Sequence, residues 1–260
     1  MPIQAVENRR LYRQIADQLS ALMESGEFRP GARLPSERDL AVQLAVSRPS
    51  VREALIALEV EGKVEVRVGA GIFVAAPRPV PVSTPSTEGQ GPFELLRARW
   101  LIEGEIAMEA ARTALPNELG VVREAVVEMQ RRQGHGRNAD EADRKFHLAI
   151  AQATHNSALL SVVRNLWDQG RGAIWKRMEH HFQTPELLDA VLHDHRAILV
   201  ALEARDGRGA RAAMRRHLAH VDREFSRGWE LLKERESSPA PPSLESIKRP
   251  GRARAPARSR

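Results

Sequence analysis

Four side chains able to bind a metal interrupt apolar helical stripes in the second half of the chain. In 138–153 the stripe runs through Phe146 and Ile150, and Asp143 and His147, four residues apart, lie on it. In 185–205 the stripe is Leu188, Val191, Leu192, Ile198, Leu199 and Leu202, with His195 at its centre. In 208–235 it is Ala210, Ala213, Met214, Val221 and Phe225, with His217 at its centre. A carboxylate or imidazole is costly to bury without a partner. One divalent cation shared by all four would remove that cost. A carboxylate oxygen and three imidazole nitrogens are borderline donors that suit Zn²⁺ first, and also Ni²⁺, Mn²⁺ or Fe²⁺. With Asp143 ionised, such a site keeps about one net positive charge and draws an anionic ligand to an open position. The competing reading for any single histidine is a hydrogen-bonded core residue; four such interruptions together favour a shared ion.

Helix 93–113 adds Arg99 and Glu103 on the stripe of Leu95, Leu96, Ile106 and Ala110. They form either an intrahelical ion pair or part of an effector site in which Arg99 clamps a carboxylate with two parallel hydrogen bonds. Trp167 and Trp175 sit at helical positions where core packing is the commoner role; Trp175 is taken with Arg99 and Glu103 as an effector contact. Of the remaining histidines, His135 and His155 fall in loops, His193 faces away from His195, His180 and His220 read as surface residues, and His181 as a pocket-lining candidate.

A second kind of chemistry lies near the N-terminus. Ser47-Arg48-Pro49-Ser50-Val51-Arg52 opens a helix on which Arg48 and Arg52, four apart, share a face while Val51 and Leu55 point to the core. Arginine can grip a guanine edge or a phosphate bidentately. Arg38 on the preceding helix is placed for the backbone or an adjacent base, Ser50 offers a short donor, and Gly69 at a hairpin tip lets the backbone approach DNA. Taken singly, these arginines would be surface partners of Glu37, Asp39 and Glu53; their placement on the right elements turns the reading to DNA.

Those elements follow from local signals. Leu11, Ile15, Leu19 and Leu22 repeat at helical spacing until Gly26. Ser36 caps a short helix from Glu37 to Leu44, Ala45-Val46 break the chain, and Ser47 with Pro49 starts the next helix. Val64, Val66 and Val68 alternate with Lys63, Glu65 and Arg67, and Ile72-Phe73-Val74 return after Gly69-Ala70-Gly71, which makes a hairpin. The order helix, helix–turn–helix, hairpin is a winged helix-turn-helix over 1–76. Residues 77–92 carry four prolines between Pro77 and Pro85 and read as a linker. Residues 93–236 show only helical period, with helices expected at 93–113, 118–133, 138–153, 158–180, 185–205 and 208–235, an all-α bundle of six to seven helices. The fold class is therefore mainly α.

The 260 residues contain no cysteine, which excludes a disulfide scaffold, thiolate zinc sites and a Cys nucleophile. Apolar runs are far too short to span a membrane, and the first ten residues are polar. A cytoplasmic protein with no membrane partner is expected. The net charge of +6 is mostly a tail, since 237–260 holds six basic residues and one acidic, a net +5. That segment reads as a disordered basic tail, either inert or adding salt-sensitive affinity for DNA.

The stretch PGARLPSERDLAVQLAVSRPSVREALIALEVEGKVEVRVGAGIFV resembles the DNA-binding domain of the GntR family of bacterial transcription regulators. The resemblance puts Arg38, Arg48, Arg52 and Gly69 on DNA-contacting positions, although Val68 stands where wings of this family often carry a polar residue. RARWLIEGEIAMEAA, ADRKFHLAIAQATHNSALL and DHRAILVALEARDGRGARAAMRRHLAHV resemble the ligand-binding (FCD) domain of the FadR subfamily. It implies that Asp143, His147, His195 and His217 are metal ligands and that Arg99 contacts the effector. EVRVGAGIFV, GPFELLRARWLIE and FHLAIAQATHNSALL are similar to repressors of hexuronate utilisation, which implies a uronate or related sugar acid.

The expected protein is a homodimeric repressor that binds a near-palindromic double-stranded operator and is released by a small carboxylate at a metal site. The rival is a metal-dependent hydrolase or isomerase of sugar acids fused to a DNA-binding unit; it lacks an obvious general base beyond Glu103 and Glu203. A nonspecific architectural DNA binder is a further alternative.

Overall fold

The computed structural model describes residues 10–67, 70–76, 89–132, 137–170 and 172–234. The expected contacts at Gly69, most of the linker and the basic tail fall outside the described residues. The chain begins with α1 (Leu11–Glu24), α2 (Glu37–Gln43), α3 (Arg48–Val60), β1 (Val64–Arg67) and β2 (Gly71–Val74). It continues with α4 (Pro92–Thr113), α5 (Pro116–Arg132), α6 (Arg137–Gln152), α7 (Ser157–Gln169), α8 (Ala173–Phe182), α9 (Pro185–Glu203) and α10 (Gly207–Glu234). The architecture is an N-terminal winged helix-turn-helix followed by a helical domain.

In the first unit, the side chains of Ser36 and Ser47 accept the backbone N–H of Asp39 and Ser50 and so set the starts of α2 and α3. The turn between them is tight: Ala45 adopts φ 53°, a left-handed conformation uncommon outside glycine. The hairpin pairs Val64 with Val74 and Val66 with Ile72, all four facing the core, and Arg33 bridges to Phe73. One detail of α1 differs from its sequence pattern. The buried stripe is Tyr12, Ile15, Ala16 and Leu19, while Leu11 is exposed, because the helix turns Tyr12 inward to donate its hydroxyl to Gly89 O at 2.9 Å.

In the helical domain, α4 packs along α10 and also touches α6, α7 and α9, while α5 lies against α6 and α9. The single helix expected over 158–180 is two helices, α7 and α8. Gly170 is the C-cap of α7 and Gly172 the N-cap of α8, and two glycines so close together carry the cost of breaking the helix there. The break lets α8 run from the bundle across to α3.

Candidate metal and effector site and the DNA-reading face

α6, α9 and α10 bring Asp143, His147, His195 and His217 together, with one donor atom from each lying within 4.8 Å of the others. The three imidazoles are fully buried, while Asp143 is partly exposed as a residue with its Oδ1 sealed inside. The ring centroids of His195 and His217 are 4.3 Å apart. His195 Nε2 comes within 3.0 Å of Asp143 Oδ1, without the alignment of a hydrogen bond. Asp143 Oδ1, both nitrogens of His195 and His217 Nδ1 are buried with no hydrogen-bond partner. Orphaned polar atoms of this density need a compensating group, and a divalent cation fits the donor set.

The electrostatics of His217 and Asp143 agree with that fit. Burial, with His195 and His147 beside it, holds the His217 imidazole well below its usual value, so its lone pair is free to coordinate. Burial alone would raise Asp143, but His147 and His195 outweigh it and keep the carboxylate ionised well below the usual range. Behind the cluster, Glu103 pairs with His147 Nδ1, and Arg99 Nε donates to Glu103 at 2.7 Å. His147 Nε2 is left facing Asp143 Oδ1 at 3.4 Å and Arg99 Nη2 at 3.4 Å. A carboxylate on the far nitrogen is the arrangement that orients a metal-binding histidine.

A cavity of about 300 Å³ opens beside the cluster, with Arg99, Asp143, Trp167, Trp175, Lys176 and Glu179 among its walls. A smaller one of about 100 Å³ continues from it past His195 and His217. Arg99 stacks its guanidinium over Trp167, 4.0 Å from the ring centre. The Trp175 indole donates to Glu179 at 2.6 Å, fixing both on the wall. The site thus gathers a guanidinium, two indoles and further charged side chains around one cavity.

Arg99 and Trp175 therefore stand on the cavity wall. Glu103 does not: it is buried, and both its oxygens are turned to Arg99 and His147. Burial would raise its carboxyl, but Arg99 and His147 hold it low and ionised. Lys176, Glu179 and Glu141 also line the cavity, and no pattern in the sequence marks them. Lys176 and Glu179 sit on the short helix that the glycine break creates. His181 lies elsewhere, against Glu59 of α3.

On the DNA-reading face, Arg38 is exposed at the surface of α2. Arg48 Nε donates to Glu37 at 2.7 Å and its side chain remains 40% exposed. Ser50 is partly exposed, its hydroxyl 2.8 Å from that of Ser47. Arg52 differs from the expectation of a groove-facing side chain. It is only 3% exposed, donates to Glu37 and to Ser226 of α10, and lies 5.0 Å from the Phe93 ring. Docking of α3 on the helical domain covers it.

Residues 11–74 match the gntR family of bacterial regulatory proteins, and residues 94–220 match the FCD domain. A Uxu operon transcriptional regulator of Escherichia coli strain K12 is 38% identical over 233 residues, covering 85% of this chain and 90% of the relative. An Exu regulon transcriptional regulator of the same strain is 39% identical over 224 residues, covering 84% and 86%. Among solved structures, a Streptococcus agalactiae GntR protein is 25% identical, with a TM-score of 0.45, over 82% of this chain and 99% of that one.

Proposed function

Since the chain belongs to the gntR family and is a DNA-binding transcription regulator rather than an enzyme, we propose that it is a metabolite-released repressor whose helical domain senses a hexuronate or related sugar acid through a bound divalent metal. The observation that carries this reading is the juxtaposition of four clustered ligand groups, three of them with orphaned buried atoms, with an Arg99-walled cavity. Asp143, His147, His195 and His217 would hold the cation, which supplies positive charge for an anionic ligand. Arg99 gives a second cationic contact, Trp175 a face for the sugar's C–H groups, and Lys176 and Glu179 partners for hydroxyls. The Uxu and Exu relatives, with the resemblance to hexuronate-utilisation repressors, support that choice of acid.

The protein acts in the cytoplasm as a homodimer, each copy divided into a DNA-binding unit over 1–76 and a sensing unit over 93–236, and two copies read matching operator half-sites. Arg38, Arg48, Ser50 and Gly69 supply the contacts, while Arg52 packs behind them between Glu37 and Ser226. The effector acts by preferring one arrangement of the units over another. Among the described residues no helix is long and apolar enough to cross a membrane.

The test is electrophoretic. A DNA fragment selected by the protein from a random pool is retarded, then released by D-glucuronate or D-galacturonate. Treatment with a chelator removes the response and Zn²⁺ restores it. Uronates that leave the complex intact, or a response indifferent to chelator, sink the reading.

A further inference from the structure

Glu59 on α3 is a buried carboxylate at a junction of three elements. Its Oε1 accepts the Val66 N–H of the wing at 3.2 Å and an Arg177 Nη2 bond at 2.9 Å, and its Oε2 meets His181 Nε2 at 2.8 Å. Arg177 and His181 belong to α8, more than a hundred residues away in the chain. Burial alone would raise the Glu59 carboxyl; His181 and Arg177 outweigh it and hold it below the usual value. The contact is therefore a charged clamp between the recognition helix and the sensing domain.

α8 has two working faces. Arg177 and His181 are four residues apart, as are Trp175 and Glu179. The two pairs are offset by two residues, which on a helix of 3.6 residues per turn is about 200°. Trp175 and Glu179 line the cavity while Arg177 and His181 grip Glu59. In this clamped arrangement Arg52, on the same recognition helix, is covered by Phe93 and Ser226.

We propose that Glu59, clamped by Arg177 and His181, is a latch that holds the recognition helix docked on the sensing domain with Arg52 packed between them, and that α8 makes this latch respond to the occupant of the cavity. The first half stands on the contacts alone; the second rests on the effector reading above. A ligand that displaces Trp175 or Glu179 has to move Arg177 and His181 with them, because a single short helix carries all four.

The absence of native cysteine allows clean labelling. Spin labels at Gln43→Cys on α2 and Glu124→Cys on α5, both exposed positions, report the distance between the units in full-length protein diluted with unlabelled chain. The unaltered latch should give one dominant distance. Arg177→Gln and His181→Gln, both on α8, should each broaden and lengthen the distribution. Glu59→Gln should do the same, and adding Arg177→Gln to it should change nothing further. Distributions unchanged in Arg177→Gln and His181→Gln overturn the latch, even if Glu59→Gln fails to fold. For the relay, D-glucuronate or D-galacturonate that binds by calorimetry should shift the distance in the unaltered protein and not in Arg177→Gln. Binding without a shift, or an undiminished shift in Arg177→Gln, overturns the relay. Failure of either uronate to bind counts against the effector reading and leaves the latch result standing.

Discussion

Glu103 takes the Nδ1 side of His147, and this leaves Nε2 as the nitrogen turned toward the cluster. The pair lies 44 residues apart in the chain and is fully buried. Arg99 secures the carboxylate from its other oxygen, so the cavity-wall arginine and the partner of His147 are joined by one ion pair. A change in either is felt by both.

Glu103→Gln should weaken metal binding about 10- to 100-fold, the usual cost of losing an orienting carboxylate. Titration with a competing chromophoric chelator measures it. An affinity equal to that of the unaltered protein would show that His147 is held by packing against Phe146 and Trp167 instead.

Arg99→Lys keeps a positive charge near Glu103 but loses the planar fork. Uronate binding should fall about tenfold or more, equivalent to about 1.4 kcal/mol. DNA binding without effector should be unchanged. Calorimetry and gel shifts on one preparation give both numbers, and an unaltered uronate affinity would remove Arg99 from the clamp.

Arg38→Ala and Arg48→Ala should each cost about 1–3 kcal/mol of discrimination between selected and scrambled DNA. Arg52→Ala should instead loosen the docked arrangement, because Arg52 joins Glu37 to Ser226. Competition gel shifts read the first effect and the spin-label distances the second. Uniform weakening on all sequences would assign these arginines to phosphates instead of base edges.

The pH dependence should come from Glu53. Its carboxylate sits against the backbone of Gly91 and accepts the N–H groups of Phe93 and Glu94, with the Arg52 and Glu94 charges nearby. Burial pushes it up to about 7 from an ordinary 4.5. A carboxyl raised on folding binds its proton more tightly in the folded state. Its contribution to stability is complete below pH 4.5 and is lost as pH rises through about 7. Urea unfolding should show the unaltered protein losing about 1–3 kcal/mol between pH 5 and pH 8 relative to Glu53→Gln. Parallel profiles for the two proteins would place Glu53 in a solvated setting.

Much of this molecule is local in origin. The alternation of Val64 and Val66, the serine caps at Ser36 and Ser47, and the helical stripes bearing Asp143, His147, His195 and His217 are short-range patterns. They record which face of each element is buried, so the elements and the polar interruptions could be read from the sequence alone. Even the break at Gly170 and Gly172 was written there, though the apolar period ran across it.

A buried face does not record what it is buried against. That Glu103 pairs with His147, that α8 turns Lys176 and Glu179 to a cavity and Arg177 and His181 to Glu59, and that Arg52 reaches Ser226 across 174 residues are choices among long-range partners. Many glutamates and arginines along the chain offer equivalent charge. Which of them meet depends on how the helices cross and on which contacts exclude water, and those are properties of the assembled bundle rather than of any segment.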